Sequence, residues 1–301
     1  MQNTKELRSR IKSVSGMGKI IKAMEMVASS KIRKAQTRIL ESRPFMEKLE
    51  EFIAELSGFP GTFENPLIME HDSFKSVLIL GITSDRGLCG GYNTNIMKLI
   101  NKTIRDHEVS GKKVKLNIIG TKGKNHFKYV GRDLSNVYGN LSDYPKFLDA
   151  REIANDLLRE YLSKIVDRVE ICYTIFKNPA EQHPVVKQIL PVPLTELRKK
   201  LYLTYEYYSE KDESIVDFIF EPSSSEVLFS LIPEYIYTII YNALLESTAS
   251  ETGARMTAMR SASDSSDEMV KDLTRKYHRA RQQQITMEIA EIASGAEALM
   301  Q

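Results

Sequence analysis

The chain has 301 residues, of which 42% are hydrophobic and 27% charged, with a formal net charge of +2. That balance is ordinary for a folded protein and excludes wholesale disorder. Only Cys89 and Cys172 occur, so no disulfide framework is signalled and a reducing compartment is expected. No apolar run is read as approaching the roughly 20 residues that span a bilayer. The amino terminus also lacks the apolar core of a secretory signal, and a soluble or peripheral protein is expected.

All ten prolines lie between Pro44 and Pro233. The proline-free ends carry apolar residues at alternating three- and four-residue spacing, the signature of long helices with a buried seam. In the first segment the seam is Leu7, Ile11, Val14, Gly18, Ile21, Ala28, Ile32, Ala35 and Ile39. Glu25 is its one charged interruption, and Ile20, Met24 and Val27 widen the stripe toward a second neighbour. Eleven Lys or Arg between Met1 and Arg43 face only Glu6, Glu25 and Glu41, which is a solvated basic face or a docking surface for an acidic partner. Pro44 marks an end or a kink, with Phe45 to Leu56 able to carry the helix onward. Gly16 and Gly18 each cost about 1 kcal/mol relative to Ala in a helix interior, which suggests local give or close approach of another backbone.

The middle reads as an α/β module. Lys75 to Ile82 is a near-continuous apolar strand of the buried parallel type, followed by the turn SDRGLCGG (Ser84 to Gly91) and a helix from near Asn93 or Asn95. Lys113 to Gly120 is a second strand, leading through a Gly-containing turn into a short helix. A helix from about Phe147 to Val166 precedes a strand from Arg168 to Phe176, and a further strand around Val185 to Leu190 ends at Pro191. Strands alternating with helices predict a small open sheet with right-handed crossovers.

The carboxyl-terminal segment keeps the cleaner repeat: Leu245, Ala249, Thr252, Met256, Met259, Ser263, Ser266, Val270, Leu273, Tyr277, Ala280, Gln284 and Met287. A sustained period of 3.5 predicts a left-handed supercoil with a partner helix. The simplest partner is the chain's own amino-terminal helix, in an antiparallel coiled coil, although two helices of a larger bundle fit the same pattern. At 1.5 Å per residue the first helix spans about 58–80 Å and the second about 100 Å. The second therefore overhangs by roughly 13 to 27 residues, exposing Ile285, Met287, Ile289, Ile292, Ala293 and Leu299. A lone helix of that length is marginal in water, so another molecule is expected to enclose it.

The expected fold is thus α/β, with a long antiparallel coiled coil and a central Rossmann-like open domain. The divisions are 1–56 (first helix), 57–73 (connecting loop), 74–200 (α/β domain), 201–233 (connecting segment) and 234–301 (last helix). SDRGLCGG can present backbone N–H groups to a phosphate, but it matches neither GxxxxGK[ST] nor GxGxxG, and its glycines are as well explained by a tight turn. His71, His107, His126, His183 and His278 are scattered without zinc spacing, and no nucleophile constellation stands out. No catalytic residue, cofactor or metal is therefore expected. Nucleic-acid binding through the basic helix, and a nucleotide-dependent enzyme built on SDRGLCGG, remain as rival readings.

Three segments resemble one family. ELRSRIKSVSGMGKIIKAMEMVASSKIRKAQ (Glu6 to Gln36), ITSDRGLCGGYNTN (Ile82 to Asn95) and the stretch from Glu246 to Leu299 are similar to the gamma subunits of F-type ATP synthases, in the same order and over essentially the whole chain. The resemblance implies a central-stalk rotor without an active site, coupling ion flow to ATP synthesis or hydrolysis. It implies three alpha and three beta subunits, the epsilon subunit and the membrane c-ring as partners, with no nucleic acid and no direct insertion into the membrane. By position, Lys19, Met24, Arg281, Gln282 and Thr286 match contacts to the alpha/beta ring. Ile285, Met287, Ile289, Ile292 and Leu299 form an apolar bearing tip, and Phe220 and Glu221 face the membrane ring. The location implied is peripheral, on the cytoplasmic face of a bacterial inner membrane. SGMG (Ser15 to Gly18) and Gly253 depart from the family pattern, and Leu201 to Asp217 does not align.

Overall fold

The computed structural model describes residues 4–56, 65–71, 73–139, 141, 143–199, 221 and 223–299, with the side chains of 224, 225 and 295–299 left out. The chain forms two compact units, one of residues 31–254 and one of residues 1–30 with 255–301. The first and last helices, α1 (Thr4–Leu56) and α5 (Ser224–Leu299), each contribute to both units.

In the larger unit, β1 (Ser76–Ile82), β2 (Lys113–Ile119), β3 (Asn136–Tyr138), β4 (Arg168–Asn178) and β5 (Glu181–Leu190) form one sheet in the order β3-β2-β1-β4-β5. β1 pairs in parallel with β2, from Ser76 opposite Lys113 to Ile82 opposite Ile119, and with β4 from Val77 opposite Arg168. β2 pairs in parallel with β3. The returning helices are α2 (Tyr92–Val109), α3 (Thr121–Tyr129) and α4 (Phe147–Leu162).

Alternation along β1 sends its side chains to opposite layers. Val77 and Ile79 join Leu116, Ile118, Ile96, Ile100, Ile104 and Phe127 beneath α2 and α3. Leu78, Leu80 and Ile82 enter the larger cluster with α4, the end of α1 and the start of α5. Burying both faces is why β1 reads as a continuous apolar run, each such side chain contributing about 1.5–3 kcal/mol. Gly120, with φ +97°, and Gly123 are needed where α3 leaves the sheet. A Cβ on Gly120 would lie 2.2 Å from the Thr83 carbonyl oxygen, and one on Gly123 2.6 Å from Thr83 Oγ1.

Several expectations are corrected. β5 starts at Glu181 rather than near Val185 and runs antiparallel to β4, because Asn178 Oδ1 accepts the N–H groups of Ala180 and Glu181 at 2.9 Å each and closes a hairpin. β3 was not foreseen. α5 begins at Ser224, before Pro233; α1, of the two readings offered at Pro44, takes the one that carries the helix onward to Leu56. Each proline removes one helical hydrogen bond. The carbonyls released belong to Leu40 and Phe229, both on exposed positions where water can take their place. Finally, α5 is long and apolar enough to cross a membrane by length and composition. Here Leu228, Ile232, Tyr235, Ile236, Ile239, Ile240 and Leu244 of that helix are buried in the core of the unit.

Asp167 closes the junction where β4 starts. Its Oδ2 accepts the N–H groups of Lys75 and Ser76 and the Ser76 hydroxyl, and its Oδ1 pairs with His71 Nδ1 at 3.0 Å. Burial pushes this carboxyl up, but the hydrogen bonds from His71, Lys75 and Ser76 outweigh it and hold the group at about 2. The folded value lies below the unfolded one, so its contribution is present above pH about 4 and is lost as the pH falls toward 2. Asp167→Asn should lower stability at pH 7 by about 1–3 kcal/mol and flatten its pH dependence between 4 and 2. Urea unfolding at a series of pH values checks both.

Candidate functional site

In the smaller unit, residues 4–30 of α1 run antiparallel to the part of α5 from Arg255 onward. Moving up α1 from Thr4 to Val14 to Glu25 moves the partner down α5, from Gln284 to Ser266 to Arg260. The seam carries the expected residues: Leu7, Glu25, Ala28, Met259, Ser263 and Ser266 are buried, and Ile11, Val14, Ile21, Val270 and Leu273 half-buried. Gly18 allows a close approach, since a Cβ there would lie 2.8 Å from Ser266 Oγ. That hydroxyl donates to the Val14 carbonyl at 3.2 Å. Glu25 is tolerated in the seam because Lys22 Nζ lies 2.8 Å and Arg260 Nε 3.5 Å from its two oxygens.

The contact between the helices ends where α1 starts, with Thr4 Oγ1 donating to Gln284 Oε1 at 3.0 Å. α5 continues as helix to Leu299. Every described side chain from Arg281 to Ser294 is exposed, Ile285 by 42% and Ile292 by 73%. Ile285, Ile289 and Ile292 recur at i, i+4 and i+7 and so share one face, while Met287 prolongs the seam. An open groove of about 710 Å³ lies at this end, lined by Thr4, Leu7, Ala280, Gln283, Gln284 and Met287 among others.

Of the ring-contact residues, Lys19, Arg281, Gln282 and Thr286 are exposed and Met24 is half-buried. Thr286 Oγ1 donates to the Gln282 carbonyl at 2.9 Å, and Arg281 has no ion-pair partner among the described residues. Glu221 is exposed. Phe220 and the side chain of Leu299 lie outside the described residues.

The larger unit has its own place for a ligand. Open α/β sheets take ligands in the crevice beyond the carboxyl ends of their strands, and SDRGLCGG lies there. Arg86 of this turn is exposed and pairs with Asp143 at 3.4 Å, while its Ser84 and Asp85 are engaged within the fold. Asp85 Oδ1 accepts the N–H and hydroxyl of Thr121 at the start of α3, 3.0 Å each, where a bound anion would otherwise sit. Ser84 Oγ donates to the Arg86 carbonyl at 2.6 Å, and Asn93 Nδ2 donates to Ser84 Oγ at 2.6 Å.

Across this edge runs α5. Ser247 Oγ accepts the N–H of Thr174 at 3.4 Å, Ser250 Oγ donates to the Thr174 carbonyl at 3.1 Å, and Glu246 accepts the N–H of Phe176 at 2.7 Å. Burial raises the Tyr92 hydroxyl and the nearby Glu251 carboxylate raises it further, so the phenol stays protonated. A cavity of about 10 Å³ remains between Tyr92, Thr83 and Ser247, room for at most one water. Sequence reasoning missed this role for Ser247, Ser250 and Glu251. Its signal was the run of small polar residues in an otherwise apolar seam.

The ATP synthase family model matches residues 3–299. The ATP synthase gamma chain of Chloroherpeton thalassium is 39% identical over 305 residues, covering all of this chain and 99% of its own length. That of Chlorobium phaeobacteroides is 38% identical with 99% of both chains covered. This chain belongs to the ATP synthase gamma chain family. Among solved structures, the central stalk and c-ring of Tetrahymena thermophila mitochondrial ATP synthase contains a chain with TM-score 0.57 at 26% identity, covering 81% of this gamma chain and 99% of that one. A chain of the Euglena gracilis mitochondrial enzyme, in its OSCP/F1/c-ring structure, shares the fold with TM-score 0.66 at 19% identity over 98% of this chain and 94% of its own.

The two unusual glycines of the gamma chain now separate. A Cβ on Gly16 meets nothing within 4 Å, so Gly16→Ala should stabilise by about 0.5–1 kcal/mol. Gly18→Ala should lose that gain, because it displaces Ser266 from Val14. Thermal melts of the two variants test the difference.

Proposed function

We propose that this gamma chain is the central-stalk rotor of an F-type ATP synthase, passing torque between an ion-driven membrane ring and catalytic sites that belong to other subunits. The observation that carries the proposal is the uncovered end of α5: an apolar face at Ile285, Ile289 and Ile292 that is exposed among the described residues. A ring of three alpha and three beta subunits would enclose that tip as a bearing, where non-directional apolar contacts impose little rotational preference. Lys19, Met24, Arg281, Gln282 and Thr286 would meet the loops of that ring. Phe220 and Glu221 would lie toward the c-ring, with the epsilon subunit beside them.

The mechanism is a population shift. An asymmetric shaft touches the three beta subunits differently, and each contact biases its subunit toward a different nucleotide affinity. The gamma chain itself holds no catalytic group in this reading, in keeping with a sheet crevice filled by Ser247 and Ser250 rather than by a ligand. The complex would sit peripherally on the cytoplasmic face of a bacterial inner membrane, a placement supported by likeness to the gamma chains of Chlorobium phaeobacteroides and Methylobacillus flagellatus over 99% of this chain. Basic residues on α1 facing acidic ring loops add attraction that weakens with salt.

Affinity purification of the tagged chain from membranes should bring down alpha, beta and epsilon subunits, and recovery of the chain without them would overturn the assignment. In the reconstituted complex, Arg281→Ala with Gln282→Ala should lower coupled ATPase activity about tenfold or more, the effect of losing about 1.4 kcal/mol or more. The circular dichroism of the isolated subunit should not change. Wild-type turnover would remove these two residues from the coupling contact.

A further inference from the structure

Both long helices pass out of the larger unit, α1 between residues 31 and 30 and α5 between residues 254 and 255. Two side-by-side helices carry a torque together only when each is held against rolling around the other. Apolar contact is non-directional and resists rolling weakly. Just before it leaves the unit, α5 is held on β4 through Glu246, Ser247 and Ser250. The apolar seam that joins α1 to it there is small, with Ala35 and Ile39 against Leu245 and Ala249. The hold on α1 must therefore be polar.

Three ties secure this stretch of α1. Lys31 Nζ pairs with Asp143 Oδ1 at 2.8 Å, and Ser42 Oγ donates to Asn242 Oδ1 at 2.7 Å. Between them in sequence, Arg38 joins three elements at once. One terminal nitrogen of its guanidinium donates to the Tyr241 hydroxyl of α5 at 3.1 Å and to the Pro145 carbonyl in the segment before α4. The same guanidinium lies 4.0 Å from the centre of the Tyr144 ring. Phe147, the first residue of α4, packs edge-on against Tyr241 with ring centres 5.6 Å apart, which steadies the ring whose hydroxyl Arg38 engages. The ties are unequal. Lys31 and Asp143 are exposed, where water and salt weaken an ion pair, and the Ser42 bond is between neutral groups. Arg38 is half-buried and donates as a cation, which makes its bonds roughly twice as strong as neutral ones.

We propose that Arg38 is the positioning residue that fixes α1 against α5 and the segment before α4, so that both helices leave the larger unit in one register and turn together under load. Without it, α1 can roll on a seam of two alanines, an isoleucine and a leucine while α5 stays fastened to β4. The torque role rests on the central-stalk reading; the joint itself is a property of the isolated chain.

Arg38→Met keeps a long apolar stem and removes the donors. In the purified full chain, hydrogen exchange of the α1 amides from residue 31 to residue 42 should quicken about tenfold, the effect of losing a hydrogen bond from a charged donor. In the complex reconstituted in vesicles, ATP hydrolysis should continue while the ions pumped per ATP hydrolysed fall. Arg38→Lys should restore most of that ratio, since one ammonium can donate to both acceptors, and Tyr241→Phe should lose part of it. Arg38→Met combined with Tyr241→Phe should be no worse than Arg38→Met alone, as expected of two groups in one joint. Arg151→Ala, which removes an exposed arginine 5.6 Å from the centre of the Tyr237 ring, should leave the ratio unchanged. Unchanged exchange, or a wild-type pumping ratio in an assembled Arg38→Met complex, would refute the proposal, as would an equal loss from Arg151→Ala. If Arg38→Met does not assemble, Tyr241→Phe decides by the same two readings. Failure of the unaltered chain to bring down the other subunits would instead overturn the central-stalk reading, and the torque role with it.

Discussion

Everything in this fold is subordinate to the pairing of the chain's first helix with its last. Two helices from opposite ends of one chain bury a common stripe here by running antiparallel, and the stripe is continuous in sequence from Leu7 to Ile39 on one helix. That constraint explains why residues with poor helical propensity persist. Gly18 admits the Ser266 hydroxyl, and Ser263 and Ser266 are small enough to be buried in the seam. It also explains a charged residue in a seam, since Glu25 is buried only because Lys22 and Arg260 reach it.

The sheet serves that pairing. In a nucleotide-binding relative of this architecture the crevice past the strands is left open; here Ser247 and Ser250 bond the backbone of Thr174 and close it. Two sequence-remote parts are thereby fastened by hydrogen bonds from serine hydroxyls to strand backbone, which fix the register of helix against strand. A fold that elsewhere presents a ligand instead grips a helix.

Much of this could be read from the sequence because it depends on period and length. The 3.5-residue seam specified which faces meet, and helix length alone exposed the segment beyond Gln284. The central strands were legible from burial on both faces, as in Leu78, Ile79 and Leu80. What escaped depended on tertiary context. β3 is three residues long and has no pattern to display. Pro233 looked like a boundary, yet the buried residues on either side, Ile232 and Tyr235, outweigh one lost hydrogen bond. The closure of the crevice needed the position of α5 relative to β4, which no local signal carries.

The last turns of α5 have a mechanical consequence. Beyond Gln284 the hydrogen bonds of the described side chains stay within the helix, and little else holds the segment straight. Because helix formation is cooperative and ends fray, a free copy has no fixed length of rigid rod. Its stiff portion ends at Thr4, and whatever sleeve receives the remainder also determines its bearing and its angular phase.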